Sequence, residues 1–152
     1  MGYTHYWNIT EEFPVTLWRG FANDFIKILP HFIDKLDHET NQKFNVNGEN
    51  MIFNGIGEEA HETFTMNRTN PLEKSHTGEI EYFDFCKTAR KEYDIAVCCA
   101  LIIAKKYFGN RIKVSSDGEE EWEESKELCQ KVLKYGKTFN MSYENKNGGE
   151  FK

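Results

Sequence analysis

The sequence predicts a single α+β domain over residues 1–136, built as a largely antiparallel sheet with three main helices packed on one face, followed by a weakly ordered tail over 137–152. Two observations carry this. Short stretches with period-two apolar alternation recur along the chain, while longer ones repeat at three and four residues. The order of the stretches, strand, long helix, several strands, apolar helix, strand, helix, also lacks the regular βαβ alternation of a parallel sheet.

Taken in order, residues 3–9 have the aromatic density of a strand, with Tyr3, His5, Trp7 and Ile9 on one face and Thr4, Tyr6 and Asn8 on the other. A helix opens after Thr10–Pro14, and Leu17, Trp18, Phe21, Phe25, Ile28, Leu29, Phe32, Ile33 and Leu36 form its core stripe. Pro30 predicts a kink or a fresh helix start. Asn47-Gly48, between Phe44/Val46 and Met51/Ile52/Phe53, reads as a hairpin. A turn at Gly55–Gly57 precedes a strand in which Ala60, Glu62, Phe64 and Met66 alternate with His61, Thr63 and Thr65. Residues 67–81 show no periodicity and read as a long connection, with the length of a functional loop or lid.

Phe83 and Phe85 alternate with Asp84 and Cys86 as on a strand whose phenylalanines, with Phe64, face the helices. The opposite face then collects polar and aromatic groups: a wet surface, a subunit interface or a ligand floor. Lys87, Thr88, Arg90 and Lys91 form a cationic elbow before an apolar helix over Tyr93–Phe108, which ends at Gly109 and must be covered all round. Arg111–Ser116 alternates as a strand. Asp117 with Glu120 reads as a capping box for a last helix that buries Trp122, Leu128, Val132 and Tyr135.

A net charge of −6 argues against non-specific binding to nucleic acid polymers, while leaving room for a local basic pocket. Cys86, Cys98, Cys99 and Cys129 show neither paired metal spacing nor a disulfide framework, as expected of reduced thiols in a cytoplasm. The longest apolar run, Ile95–Ala104, is too short for a bilayer span, so the expectation is a soluble protein with no membrane partner.

Four enzyme chemistries come into question. Cys86 with His61 or His5 and Asp84 has the residue types of a nucleophile system. Cys86 and Arg90 are one residue too close for the Cys-x5-Arg phosphate loop. His5, His61 and Cys86 lack close metal-ligand spacing, and Glu58, Glu59 and Glu62 suit a solvated turn as well as acid–base work. The expectation is therefore no catalytic residue, no metal and no cofactor. Ligand binding asks less: Lys87, Arg90 and Arg68 for phosphate charge, Thr88, Asn54, and Ser115 or Ser116 for directed hydrogen bonds, and Tyr6 or Trp7 for stacking on a base, with His61 also among the candidate ligand-binding residues. Each also has a plain structural role open to it, in core, cap, turn or surface.

Gly2-Tyr-Thr-His-Tyr-Trp7, Ile52-Phe-Asn-Gly55, Ala60-His-Glu-Thr-Phe64, Asp84-Phe-Cys-Lys-Thr-Ala-Arg-Lys91 with Tyr93-Asp94, and Val114-Ser-Ser-Asp-Gly118 together resemble a family of small proteins encoded largely by bacteriophages. The resemblance spans roughly residues 2–135. It is similar to the fourth class of anti-CBASS proteins, nucleotide sponges that form tetramers and sequester cyclic dinucleotides such as 3′3′-cGAMP. It implies a homo-oligomer in the cytoplasm of an infected bacterial host that holds a second messenger uncleaved and prevents effector activation. The alternatives are a nucleotide-processing hydrolase or phosphodiesterase using His61, Cys86 and Asp84, and a phage protein–protein interaction module.

Overall fold

The computed structural model describes residues 2–38 and 44–141. Its strands are β1 (Thr4–Ile9), β2 (Asn45–Val46), β3 (Asn50–Phe53), β4 (Phe64–Asn67), β5 (Glu73–Lys74), β6 (Ile80–Lys87) and β7 (Ile112–Ser116). Its α-helices are α1 (Val15–Ile28), α2 (Asp94–Phe108) and α3 (Glu123–Leu133). The α+β class is as predicted, with every strand pairing antiparallel. The strands divide into two sheets, ordered β5-β6-β1-β7 and β2-β3-β4.

Helix α2 explains the arrangement. Every residue from Ala96 to Lys105 is buried, because a helix apolar on all sides must be covered on all sides. Gly109, at φ 55°, ends it. Helix α1 lays its stripe against it, with Phe13 stacked on Phe108 at 3.7 Å between ring centroids and Trp18 beside both. Helix α3 is tied to it by Ser125 Oγ, which donates to Ile95 O at 3.2 Å. The small sheet joins the same core through Phe53 and Phe64, which touch Phe25 and Trp7.

The hairpin at Asn47 forms as predicted: Asn47 Oδ1 accepts from the Glu49 and Asn50 amides, the side-chain turn that asparagine favours. Pro30 opens a fresh 3₁₀ turn, Leu29–His31, directly after α1.

Several expectations need correction. Residues 67–81 are not one unpaired connection, since Glu73 and Lys74 pair with Glu81 and Ile80 as a short hairpin. The strand read over 60–66 starts only at Phe64, after a 3₁₀ turn at Gly57–Glu59. Asp117 does not cap the last helix; its carboxylate accepts from the Thr4 amide and the Tyr6 hydroxyl, and α3 starts at Glu123 with no side-chain cap.

The largest correction concerns β6. Strand β1 buries His5, Trp7 and Ile9, and the register sets Cys86, Asp84 and Tyr82 directly beside them. Phe83 and Phe85 therefore point away from the helices, 52% and 47% exposed. Of the predicted tail, residues 142–152 lie outside the described residues. Within 137–141, Phe139 is buried and stacks on Trp122 at 5.1 Å.

Candidate functional site

Among the described residues, three places gather chemistry-bearing side chains: a buried hub, an acidic cleft beside it, and the open face of the four-stranded sheet.

The hub is centred on Asp94 in the first turn of α2. Asp94 Oδ1 accepts from Thr88 Oγ1 at 2.5 Å and lies 2.6 Å from His5 Nε2, while Oδ2 accepts the Cys98 thiol at 3.5 Å. His5 Nδ1 lies 2.5 Å from Ser116 Oγ. With Nε2–H donated to the carboxylate, Nδ1 accepts from the Ser116 hydroxyl, so Ser116, His5 and Asp94 line up in the order of a nucleophile, a base and its orienter. The imidazole is fully buried between the edges of Tyr3 and Trp122. The neighbouring cleft reaches Asp94 but is not lined by Ser116. The ligand atoms of His5, Asp94 and Cys98 lie within 4.8 Å of one another, close enough to hold a cation. Three donors already engage the carboxylate, however, and the group is complete as a hydrogen-bond centre.

The cleft, about 550 Å³, is where the cationic elbow was expected to cradle an anion. Lys35, Arg90 and Lys91 meet Glu92, Asp94, Glu120, Glu121, Glu123 and Glu124 there, so its wall carries twice as many carboxylates as cations. Ala89 and Arg90 turn through left-handed φ angles of 53° and 59°. Arg90 then lies over the Tyr3 ring and donates from Nε to Glu121 at 2.8 Å. That contact holds the Glu121 carboxyl below its usual range. Thr88 is buried on Asp94. Thr88 and Arg90 are thus already engaged, and an anion in the cleft would face net repulsion.

The sheet face carries the rest. Register sets Tyr6 directly opposite Phe85 on β6 and Ser115 on β7, with Asn8 between Phe83 and Lys113 one step along. Strand alternation puts Lys87 on the same face, beyond Phe85. Tyr6 and Phe83 stack at 6.2 Å. Lys87, Lys113 and Ser115 are exposed, and neither lysine has an ion-pair partner among the described residues.

Of the residues singled out from sequence, Tyr6, Lys87 and Ser115 thus share one open face. The others are separated from it. Trp7 is buried against Phe64 and offers no ring to a ligand. Asn54 ties its own loop, bonding His61 backbone, Thr63 and Gly55, and the His61 side chain is exposed on that loop. Arg68 holds Phe13 O at 3.2 Å and lies 3.5 Å from Glu49. Thr88 and Ser116 belong to the hub and Arg90 to the cleft. Cys86 is buried with its thiol on Glu62 O, and burial pushes its pKa up to about 12. Asp94 and Lys113 escaped the sequence reading. The four-residue spacing of Asp94 and Cys98 along α2 is the only local sign of the hub.

No protein family, curated protein or solved structure matches this chain.

Proposed function

We propose that the protein binds and sequesters a cyclic dinucleotide of the 3′3′-cGAMP type without cleaving it, as a homo-oligomer, and so denies the messenger to its CBASS effector. The observation that carries this reading is the half of the open sheet face made by β1 and β7. There an aromatic ring, Tyr6, lies directly opposite a hydroxyl, Ser115, and beside an ammonium group, Lys113, that no carboxylate among the described residues neutralises. A base stacked on a ring gains about 1–3 kcal/mol, and a phosphate takes a charge-assisted bond from lysine and a directed one from serine. Holding a ligand tightly needs no nucleophile. The phage-family resemblance of the sequence points to the same activity.

The test is calorimetry of the full chain with 3′3′-cGAMP, followed by heating the complex and mass spectrometry of what is released. Intact cyclic nucleotide is expected, with Tyr6→Ala and Lys113→Ala each weakening binding by about tenfold. Absence of binding, or recovery of linear nucleotide, overturns the reading.

A second reading, a protein–protein interaction module, draws on the exposed Phe83 and Phe85 rings. A stoichiometric host protein captured by the full chain, and lost on Phe83→Asp, would favour it.

A further inference from the structure

Six large apolar side chains are exposed among the described residues, and three of them, Ile80, Phe83 and Phe85, lie on β6. Alternation puts Glu81, Phe83, Phe85 and Lys87 in one row on the open face. The row reads acid, ring, ring, base. At its acidic end Glu81 is directly opposite Glu73 of β5, a like-charge cross-strand pair that destabilises a sheet unless a cation joins it. Among the described residues no cation does so, and none of their carboxylates pairs with Lys87 at the other end.

We infer that a second copy of this chain covers the face, related by a two-fold axis that lies between the two sheets and crosses the strands at the level of Asp84. That operation sets Phe83 of one copy against Phe85 of the other. Lys87 of each copy comes to the Glu73–Glu81 pair of its mate. The row is self-complementary in its order of acid, rings and base, as an isologous interface must be. Two sheets packed this way bury the rings and close two ion-pair clusters at once.

The same axis decides what happens over β1 and β7. It sets Tyr6 of one copy near Asn8 of the other, and Ser115 near Lys113. Threonine, asparagine and serine do not fill the spacing that phenylalanines hold open between the sheets, about 10 Å. The result is a gap with two tyrosines, two serines and two lysines in two-fold array, which matches a ligand with two bases and two phosphates. The docking stands on the β6 row alone; the occupant of the gap rests on the function proposed above.

Sedimentation equilibrium of the ligand-free full chain tests the docking. A dimer, or a larger even-numbered assembly containing it, is expected. Phe83→Asp should abolish it with the circular dichroism spectrum unchanged. Glu81→Lys or Lys87→Glu alone should weaken self-association by about tenfold at low salt. The double reversal should restore it, because each copy then offers lysine where its mate offers glutamate. A monomeric wild-type chain overturns the proposal, as does an assembly indifferent to Phe83→Asp, or a double reversal as weak as either single change. Should a monomer still bind the nucleotide, the docking fails and the sequestering function stands; a dimer that never binds it gives the reverse.

Discussion

His5 Nε2 lies 2.6 Å from Asp94 Oδ1, joining the middle of the sheet to the first turn of the buried helix. Asp94→Ala strips the acceptor from His5, Thr88 and Cys98 together. Leaving these buried donors without an acceptor costs about 3 kcal/mol or more in total, a fall of roughly 10 °C in Tm for a chain of this size. Asp94→Asn, which keeps one carbonyl acceptor, should lose less. Thermal unfolding followed by circular dichroism checks both. An unchanged Tm in Asp94→Ala would remove the hub as a source of stability.

Asp84 titrates against the fold. Burial raises its pKa, the Phe85 amide lowers it, and the Glu62 charge raises it again, with a net upward shift. The folded carboxyl therefore holds its proton more tightly than the unfolded one. Stability falls as pH rises from the ordinary carboxylate value through the raised one, and the penalty is complete above it. Asp84→Asn retains an acceptor for the Phe85 amide. Its Tm should exceed wild type at neutral pH, with the gain vanishing as the pH drops below the ordinary carboxylate range. An equal gain at every pH would exclude the carboxylate charge as its cause.

All four cysteines are buried. Burial pushes Cys86 up to about 12 and Cys98 and Cys99 well above the ordinary thiol value. The reactive species is the thiolate, so the folded protein should resist a thiol-specific chromogenic reagent at neutral pH and release a full count of four thiols only in denaturant. Rapid labelling of Cys86 in the folded chain would revive a nucleophilic role for it.

Gly20 sits in α1 where a Cβ would come within 2.3 Å of Tyr107 Cε1. Tyr107 is held there by its hydroxyl, which donates to Asp24 at 2.8 Å. Alanine gains up to about 1 kcal/mol of helix propensity, but forcing the ring aside costs about 1–3 kcal/mol. Gly20→Ala should lower Tm, and lower it less in a Tyr107→Ala background. A rise in Tm would mean the ring moves freely.

Much of the fold was legible because it is local. The stripe from Leu17 to Ile28, the all-round apolar run of α2 and the Asn47 turn each follow from the near-neighbour spacing of side chains on one short segment. The sequence alone also determined an order of strands and helices without the regular βαβ alternation of a parallel sheet.

Only the tertiary structure decided which way β6 faces. Period-two alternation offers two phases of similar apolar content, and the choice came from pairing with β1, where Trp7 sits beside Asp84 and His5 beside Cys86. That one choice turned Phe83 and Phe85 outward beside Tyr6. The electrostatics were non-local too. Arg90 and Lys87 looked like one cationic cluster, yet Arg90 turns to Glu121, thirty-one positions on, while Lys87 projects from the opposite face of the sheet. His5 meets its carboxylate eighty-nine positions away. Charge and hydrogen-bond partners are chosen by proximity in space, which residue spacing encodes along a helix or strand and not between them.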